Sequence, residues 1–386
     1  MTAAQKEQDP MTEAPSRPLL GFTVAVTAAR RADELSTLLE RRGGAVLAAP
    51  AIAMVPLADD ERLRAATDEL IANPPDLLVA TTGIGLRGWL EAAEGWGVAE
   101  GLLAALAAGR VISRGPKATG ALRAAGLREE WSPPSESSAE VLSHLSGTDL
   151  TGCRVAVQLH GATDAWDPNP GLLDGLRALG AEIVPVPVYR WERPADLAGL
   201  DRIVEAIATA DVDAVTFTSA PAVASVLERA ADLGLDGALR AALSGPVVPY
   251  CVGPVTATPL DRLGIASVTP ERMRLGALAR LVEQDLPERR PDRSLAGHTV
   301  GVRARGAVVD GRARELTPTS IVLLRILSRE PGAVVSRDEL LTALGGDDPH
   351  AVEAAVARLR AGLGHKEIIA TVVKRGYRLA VDEVHE

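Results

Sequence analysis

A strand–helix unit that occurs twice constrains this chain more than any other feature. DLLVATTGIGLRGWLEAA (76–93) and DAVTFTSAPAVASVLERA (213–230) share one pattern. Each has an Asp, a short apolar strand, a Thr-Thr or Thr-Ser step and then apolar residues at a helical period of 3.6. RGPKATGALRAAGL (114–127) recurs as VGPVTATPLDRLGI (252–265), and the offsets are 137 and 138 residues. Earlier in each half, GFTVAVTAAR answers GCRVAVQLHG and RGGAVLAAPAI answers LGAEIVPVPVY. Strands alternating with helices predict an α/β fold: two parallel sheets, each covered by helices on both faces.

Composition narrows the function classes. A net charge of −10 excludes a general polyanion binder over the whole surface. Two cysteines exclude a disulfide framework and suit a reduced, cytoplasmic setting. No apolar run approaches the roughly 18 residues of a membrane span, so no membrane partner is expected. Residues 1–18 are polar and read as a disordered tail. Residues 296–386 hold 13 Lys+Arg against 12 Asp+Glu, so all of the acidic excess lies before them. The stretch LPERRPDRSLAG carries two prolines and alternating charge, and predicts a linker over 287–297.

In open α/β sheets ligands sit beyond the carboxyl ends of the strands. Four strand-to-helix turns fall there: Thr81-Thr82-Gly83, Gly115-Pro116-Lys117, Thr218-Ser219-Ala220 and Gly253-Pro254-Val255-Thr256. Their backbone N–H groups and small hydroxyls suit a carboxylate or phosphate. The candidate anion-binding residues are therefore Thr82, Gly83, Gly115, Lys117, Ser219, Ala220, Gly253, Val255 and Thr256. None of the turns carries a P-loop or dinucleotide fingerprint, and no cofactor or metal site is expected.

From Leu19 to Leu286 the order of these pieces resembles uroporphyrinogen-III synthase, the cofactor-free enzyme that closes and rearranges a linear tetrapyrrole. DAVTFTS, the Gly-Pro turns and GAEIVPVPVYR carry the resemblance. It implies two α/β lobes joined by a two-stranded ladder, with substrate between them. Lobe one would be 19–48 plus 193–286, and lobe two 56–184. It also implies that Tyr189 is the catalytic candidate, a general acid. The chain departs from the family at Leu159-His160-Gly161, where Leu-Arg-Gly is usual, and in the following DAWDPNPG. His160 thus joins the ligand-binding candidates, while the missing arginines and added Trp166-Asp167 predict weak or absent turnover.

The C-terminal residues form a second pattern. HTVGVRARGAVVDGRARELT (298–317) reads as small antiparallel strands turning at Arg305-Gly306 and Asp310-Gly311. Thr317-Pro318 starts a helix with Ile321, Leu324, Ile326 and Leu327 inside; Ser336 caps a second; a third spans about 350–363. On that third helix Val352, Val356, Leu359 and Leu363 face one way, and His350, Ala354, Ala357, Arg358 and Ala361 the other. A hairpin follows, with Lys374-Arg375-Gly376 at its tip. Over 298–382 the set LTPTS-IVLL, PGAVVSRDELL, AVARLRAGLG and GYRL resembles the winged-helix effector domain of OmpR/PhoB-type regulators. The resemblance implies that His350, Glu353, Ala354, Ala357 and Arg358 face bases or phosphates, with Arg360 at the flank. Lys374, Arg375, Tyr377 and Arg378 would serve the wing.

The pairing of these two parts resembles actinobacterial regulators of nitrate/nitrite assimilation. The expectation is a DNA-binding transcriptional regulator with a ligand-sensing or partner-binding synthase-like domain. The alternative is a bifunctional synthase with a DNA-binding tail. Expected partners are double-stranded promoter half-sites bound as a dimer, an anionic small molecule, and a second regulator or RNA polymerase.

Overall fold

The computed structural model describes residues 17–56, 61–134, 137–159, 170–345 and 348–382. Nearly all of the expected tail lies outside them, as do His160, Trp166 and Asp167. The chain forms two compact units, Ala51–Leu197 and Met1–Pro50 with Ala198–Glu386. Among the described residues no helix is long and apolar enough to cross a membrane.

In chain order the strands of the duplicated region are β1 (Thr23–Val26), β2 (Ala45–Ala48), β3 (Ala53–Pro56), β4 (Leu77–Ala80) and β5 (Arg110–Ser113). Then come β6 (Arg154–Leu159), β7 (Glu182–Pro187), β8 (Tyr189–Glu192), β9 (Ala214–Phe217) and β10 (Val248–Cys251). One all-parallel sheet has the order β2-β1-β9-β10, the other β7-β6-β4-β5. By the sequence repeat, β1 answers β6, β2 answers β7, β9 answers β4 and β10 answers β5. The two orders are therefore the same, and the duplication is structural. β3 pairs antiparallel with β8, Pro56 opposite Tyr189.

The strands are short, and β1, β4 and β9 are buried at every residue. That is what helices on both sheet faces require. Alternate residues of β4 feed opposite cores: Leu78 and Ala80 pack with Trp89 and Leu122, Leu77 and Val79 with Val141 and Leu176. The buried Trp89 indole N–H donates to Thr67 Oγ1 at 2.9 Å, which satisfies its polar edge.

The Asp that opens each repeat does one job in both sheets. Asp76 Oδ2 accepts from the Arg154 N–H at 2.8 Å, and Asp213 Oδ2 from the Thr23 N–H at 2.8 Å. Each carboxylate thereby pins the start of the neighbouring strand.

The C-terminal module is a four-stranded antiparallel meander, three helices and a hairpin. The meander is β11 (Arg293–Leu295), β12 (His298–Arg303), β13 (Gly306–Val309) and β14 (Arg312–Glu315). The segment 287–297, read as a linker, is instead structured. A helix, Leu275–Arg289, runs into it, β11 pairs with β12, and Leu295 is buried. Pro287 sits inside that helix, and a free edge on β12 offered the charged stretch a pairing partner that its own composition does not reveal. The β12–β13 turn is Ala304-Arg305, one residue earlier than the sequence suggests. Asp310-Gly311 closes β13–β14 with both residues at positive φ, as a tight hairpin turn demands.

The helices are Pro318–Leu327, Arg337–Ala343 and Pro349–Leu363, and the hairpin strands are β15 (Ile369–Val372) and β16 (Gly376–Leu379). Thr317 Oγ1 accepts from the Ser320 N–H and Ser336 Oγ from the Glu339 N–H, so both caps form where the sequence places them. In the first helix Leu323, Leu324, Ile326 and Leu327 are buried, whereas Ile321 is only half-buried. Ser336→Ala should cost about 1 kcal/mol of stability, the usual worth of an N-cap hydroxyl. A denaturation midpoint equal to that of the parent chain would contradict this.

Candidate functional site

The third helix presents two faces, and they divide as the sequence predicts. Val352, Ala355, Val356, Leu359 and Leu363 lie in the core with Leu323, Leu327 and Leu379. His350, Glu353, Ala354, Ala357 and Arg358 are exposed. Asp348 caps the start by accepting from the His350 N–H at 2.9 Å, and Gly364, at φ +82°, ends the helix. The wing turn holds Val373, Lys374 and Arg375, all exposed, and Lys374 adopts a positive φ. Arg378 is also exposed on β16.

Three of the named residues play roles the sequence does not show. Arg360 is half-buried and donates to the Ile369 carbonyl at 2.6 Å and to Thr371 Oγ1 at 2.9 Å, tying the helix to the wing's first strand. Tyr377 is buried, so its ring supports the wing from inside rather than lying on its surface. Glu353 takes the Arg337 Nε–H at 2.9 Å, and that hydrogen bond holds its carboxyl below the usual range. The Arg337 guanidinium in turn lies 5.3 Å over the Tyr377 ring.

The four candidate anion turns fall into two neighbouring pairs. In the 51–197 unit, Thr82 and Gly83 adjoin Gly115 and Lys117, because a Cβ on Gly83 would stand 2.2 Å from the Lys117 carbonyl oxygen. Gly83 is therefore needed for helix-to-helix contact. Here the Thr81 and Gly85 N–H groups of the first turn are engaged, while Gly115 supplies no side-chain cap. The buried Gln158 side chain accepts from the Thr81 N–H at 3.1 Å and donates to the Thr82 carbonyl at 3.0 Å. Thr82 Oγ1 caps its helix by accepting from the Gly85 N–H. In the other unit, Ser219 and Ala220 sit after β9, and Gly253, Val255 and Thr256 after the adjacent β10. There neither Ser219 nor Gly253 supplies a side-chain cap, and Val255 is exposed. Tyr189 is buried in the core of its unit, edge-on to Trp191 at 5.7 Å between ring centres.

A junction not foreseen from the sequence joins the first sheet to the C-terminal module. Asp213, fully buried, uses its second oxygen to accept from Arg290 Nη1 at 2.8 Å and from the Ala304 N–H at 2.9 Å. Burial holds this carboxyl above the usual range, and Arg290 with the Thr23 and Ala304 N–H groups offset only part of that rise. The Ala304 carbonyl accepts from Arg325 Nη2 at 2.8 Å. Arg325 also donates to the carbonyls of Thr209 and Ala210, which close the helix Ala198–Ala208. Arg303 stacks 4.0 Å over the Phe22 ring. Both backbone groups of Ala304 in the β12–β13 turn are thus clamped. The recurring Asp was the available signal, but its second use exists only across the junction.

Comparison with known proteins agrees with both parts. Residues 33–280 match the family described as uroporphyrinogen-III synthase HemD, and residues 311–379 match the C-terminal domain of transcriptional regulatory proteins. An uncharacterized protein of Bacillus subtilis, YjjA, is 31% identical over 264 residues, 67% of this chain and 94% of that protein. The structure of a mutant uroporphyrinogen III synthase from Thermus thermophilus superposes with a TM-score of 0.55. It is 31% identical and covers 69% of this chain and 99% of that one. The transcriptional regulatory protein CutR of Streptomyces coelicolor is 34% identical over 110 residues, which is 28% of this chain and 49% of CutR. The chain belongs to the uroporphyrinogen-III synthase HemD family and carries, after that domain, a winged-helix DNA-binding domain of the transcriptional regulator type.

Proposed function

We propose that this protein regulates transcription by binding paired promoter half-sites as a dimer, with its synthase-like domain as the sensor. One observation carries the reading. The third helix buries its apolar face and leaves His350, Glu353, Ala354, Ala357 and Arg358 exposed, beside a wing whose Lys374, Arg375 and Arg378 are also exposed. A helix so presented can enter the major groove, while the wing holds phosphates. Pairing of half-sites follows from charge: with a chain net charge of −10, one module making a few phosphate contacts binds weakly at physiological salt.

The sensor reading is supported by the clamp on Ala304, through which a shift in the first sheet reaches the module. An anionic ligand fits best after β9 and β10, at Ser219, Ala220, Gly253, Val255 and Thr256, where side chains leave the helix starts uncapped. Gln158 supports weak or absent synthase turnover, since it occupies the Thr81-Thr82 turn, and so does the burial of Tyr189. Nitrate and nitrite assimilation genes are the proposed targets, on the support of the two-domain pairing alone.

The test is twofold. Purified protein should shift promoter DNA and should convert hydroxymethylbilane to uroporphyrinogen III far more slowly than a dedicated synthase. Robust turnover that Tyr189→Phe weakens, with no sequence-selective DNA binding, would establish the enzyme instead.

A further inference from the structure

Four polar side chains outside the DNA-facing surface converge at one corner of the winged helix. His298 opens β12, His365 follows Gly364 at the end of the third helix, and Glu367 lies in a short 3-10 turn, Lys366–Ile368, that leads into β15. Glu367 Oε1 is 3.2 Å from His298 Nε2 and 3.4 Å from His365 Nδ1. The three ligand atoms all lie within 4.8 Å of one another. Asp310, from the β13–β14 turn, stands 2.7 Å from His298 Nδ1 with Oδ2, while its Oδ1 accepts from the Thr299 N–H at 2.9 Å.

We propose that His298 Nε2, His365 Nδ1 and Glu367 Oε1 form a binding site for a divalent transition-metal ion of the zinc class. The spacing fits. Tetrahedral bonds of about 2.0–2.1 Å set neighbouring donor atoms about 3.3–3.4 Å apart; both separations from Glu367 lie close to that, and all three donors lie within 4.8 Å of one another. The donor set fits as well, since two imidazoles and a carboxylate favour zinc, cobalt or nickel over magnesium or calcium. Asp310 supplies the outer partner that metal-bound histidines almost always have. By accepting a hydrogen bond from Nδ1–H it leaves the Nε2 lone pair directed at the site, and its own backbone contact with Thr299 holds it in place. Glu367 is exposed and both histidines are half-buried, so an ion can enter from solvent and keep a water in the fourth position.

The site has a position of consequence. It ties the meander to the joint between the DNA-facing helix and the wing, bringing His298 to a Glu367 that lies 69 positions further along the chain.

The experiment uses the full-length chain, stripped with a chelator and titrated with Co²⁺ and then Zn²⁺. The parent protein should bind Co²⁺ stoichiometrically, with visible absorption of tetrahedral intensity that Zn²⁺ abolishes, and its melting temperature should rise with Zn²⁺. His298→Ala and His365→Ala should lose the spectrum, while His350→Ala and His144→Ala should keep it. Because an alanine variant could fail to fold, Asp310→Asn provides a second measure: its affinity should fall by about 10–100-fold, the usual effect of losing an outer-shell partner. Absence of stoichiometric binding, or binding that survives the His298 and His365 changes, would overturn the proposal. So would an Asp310→Asn variant with unchanged affinity.

Discussion

Asp213→Ala should destabilise the unit that contains the first sheet and the winged helix by about 3–5 kcal/mol, the loss typical of breaking a buried ion pair. The change would strand the Arg290 guanidinium, which is three-quarters withdrawn from solvent, and leave the Thr23 and Ala304 N–H groups without their acceptor. Asp213→Asn should restore only part of this. An amide can accept on one side, but its NH₂ would then face a donor on the other. All five tryptophans lie between residues 89 and 191, in the other unit. Their fluorescence is therefore an internal control. Urea unfolding followed by circular dichroism should show an early transition in the variant, while the tryptophan transition stays in place. Equal curves by both probes, matching the parent, would mean that the carboxylate does not hold the junction.

Arg358→Ala should weaken promoter binding by about 1–3 kcal/mol and relax preference at one base pair, if the guanidinium reads a base edge. Lys374→Ala and Arg375→Ala act differently. Each should weaken promoter and scrambled DNA alike and flatten the salt slope by about 0.9, as loss of one phosphate contact does. Arg360→Ala is a third case: its guanidinium holds the Ile369 carbonyl, so the variant should lose stability as well as binding. Gel shifts on both DNAs at two salt concentrations separate these outcomes. Parent-like binding by Arg358→Ala and both wing variants would place the recognition surface elsewhere.

The parts of the molecule that local rules govern were legible. The Thr317 and Ser336 caps, the Asp310-Gly311 turn and the two faces of the third helix depend on residues a few positions apart, and each formed where its chemistry pointed. The repeat was legible for another reason: a duplicated sequence with the same burial pattern solves the same packing problem twice, and the sheets share one strand order. The exposure of Arg358, Lys374 and Arg375 followed directly from the apolar period beside them.

Other features needed partners from far along the chain. Tyr377 looked like a wing surface residue, yet pairing of β15 with β16 turned its ring into the core. The Thr81-Thr82 turn looked open to an anion until Gln158, brought beside it by the parallel pairing of β4 and β6, took up its backbone groups. His298 and His365 carried no spacing that marks a metal site, because their approach depends on the meander folding against the end of the third helix.

The sequence by itself determined the element order, the doubled α/β layout, the winged helix and the outward face of its third helix, since periodicity, capping and turn chemistry act within a few residues. Only the tertiary structure decided that Asp213 holds Ala304, that residues 293–295 become a strand, and that His298, His365 and Glu367 meet. Those outcomes depend on which groups burial leaves in need of a hydrogen-bond partner, and that is settled when distant segments pack together.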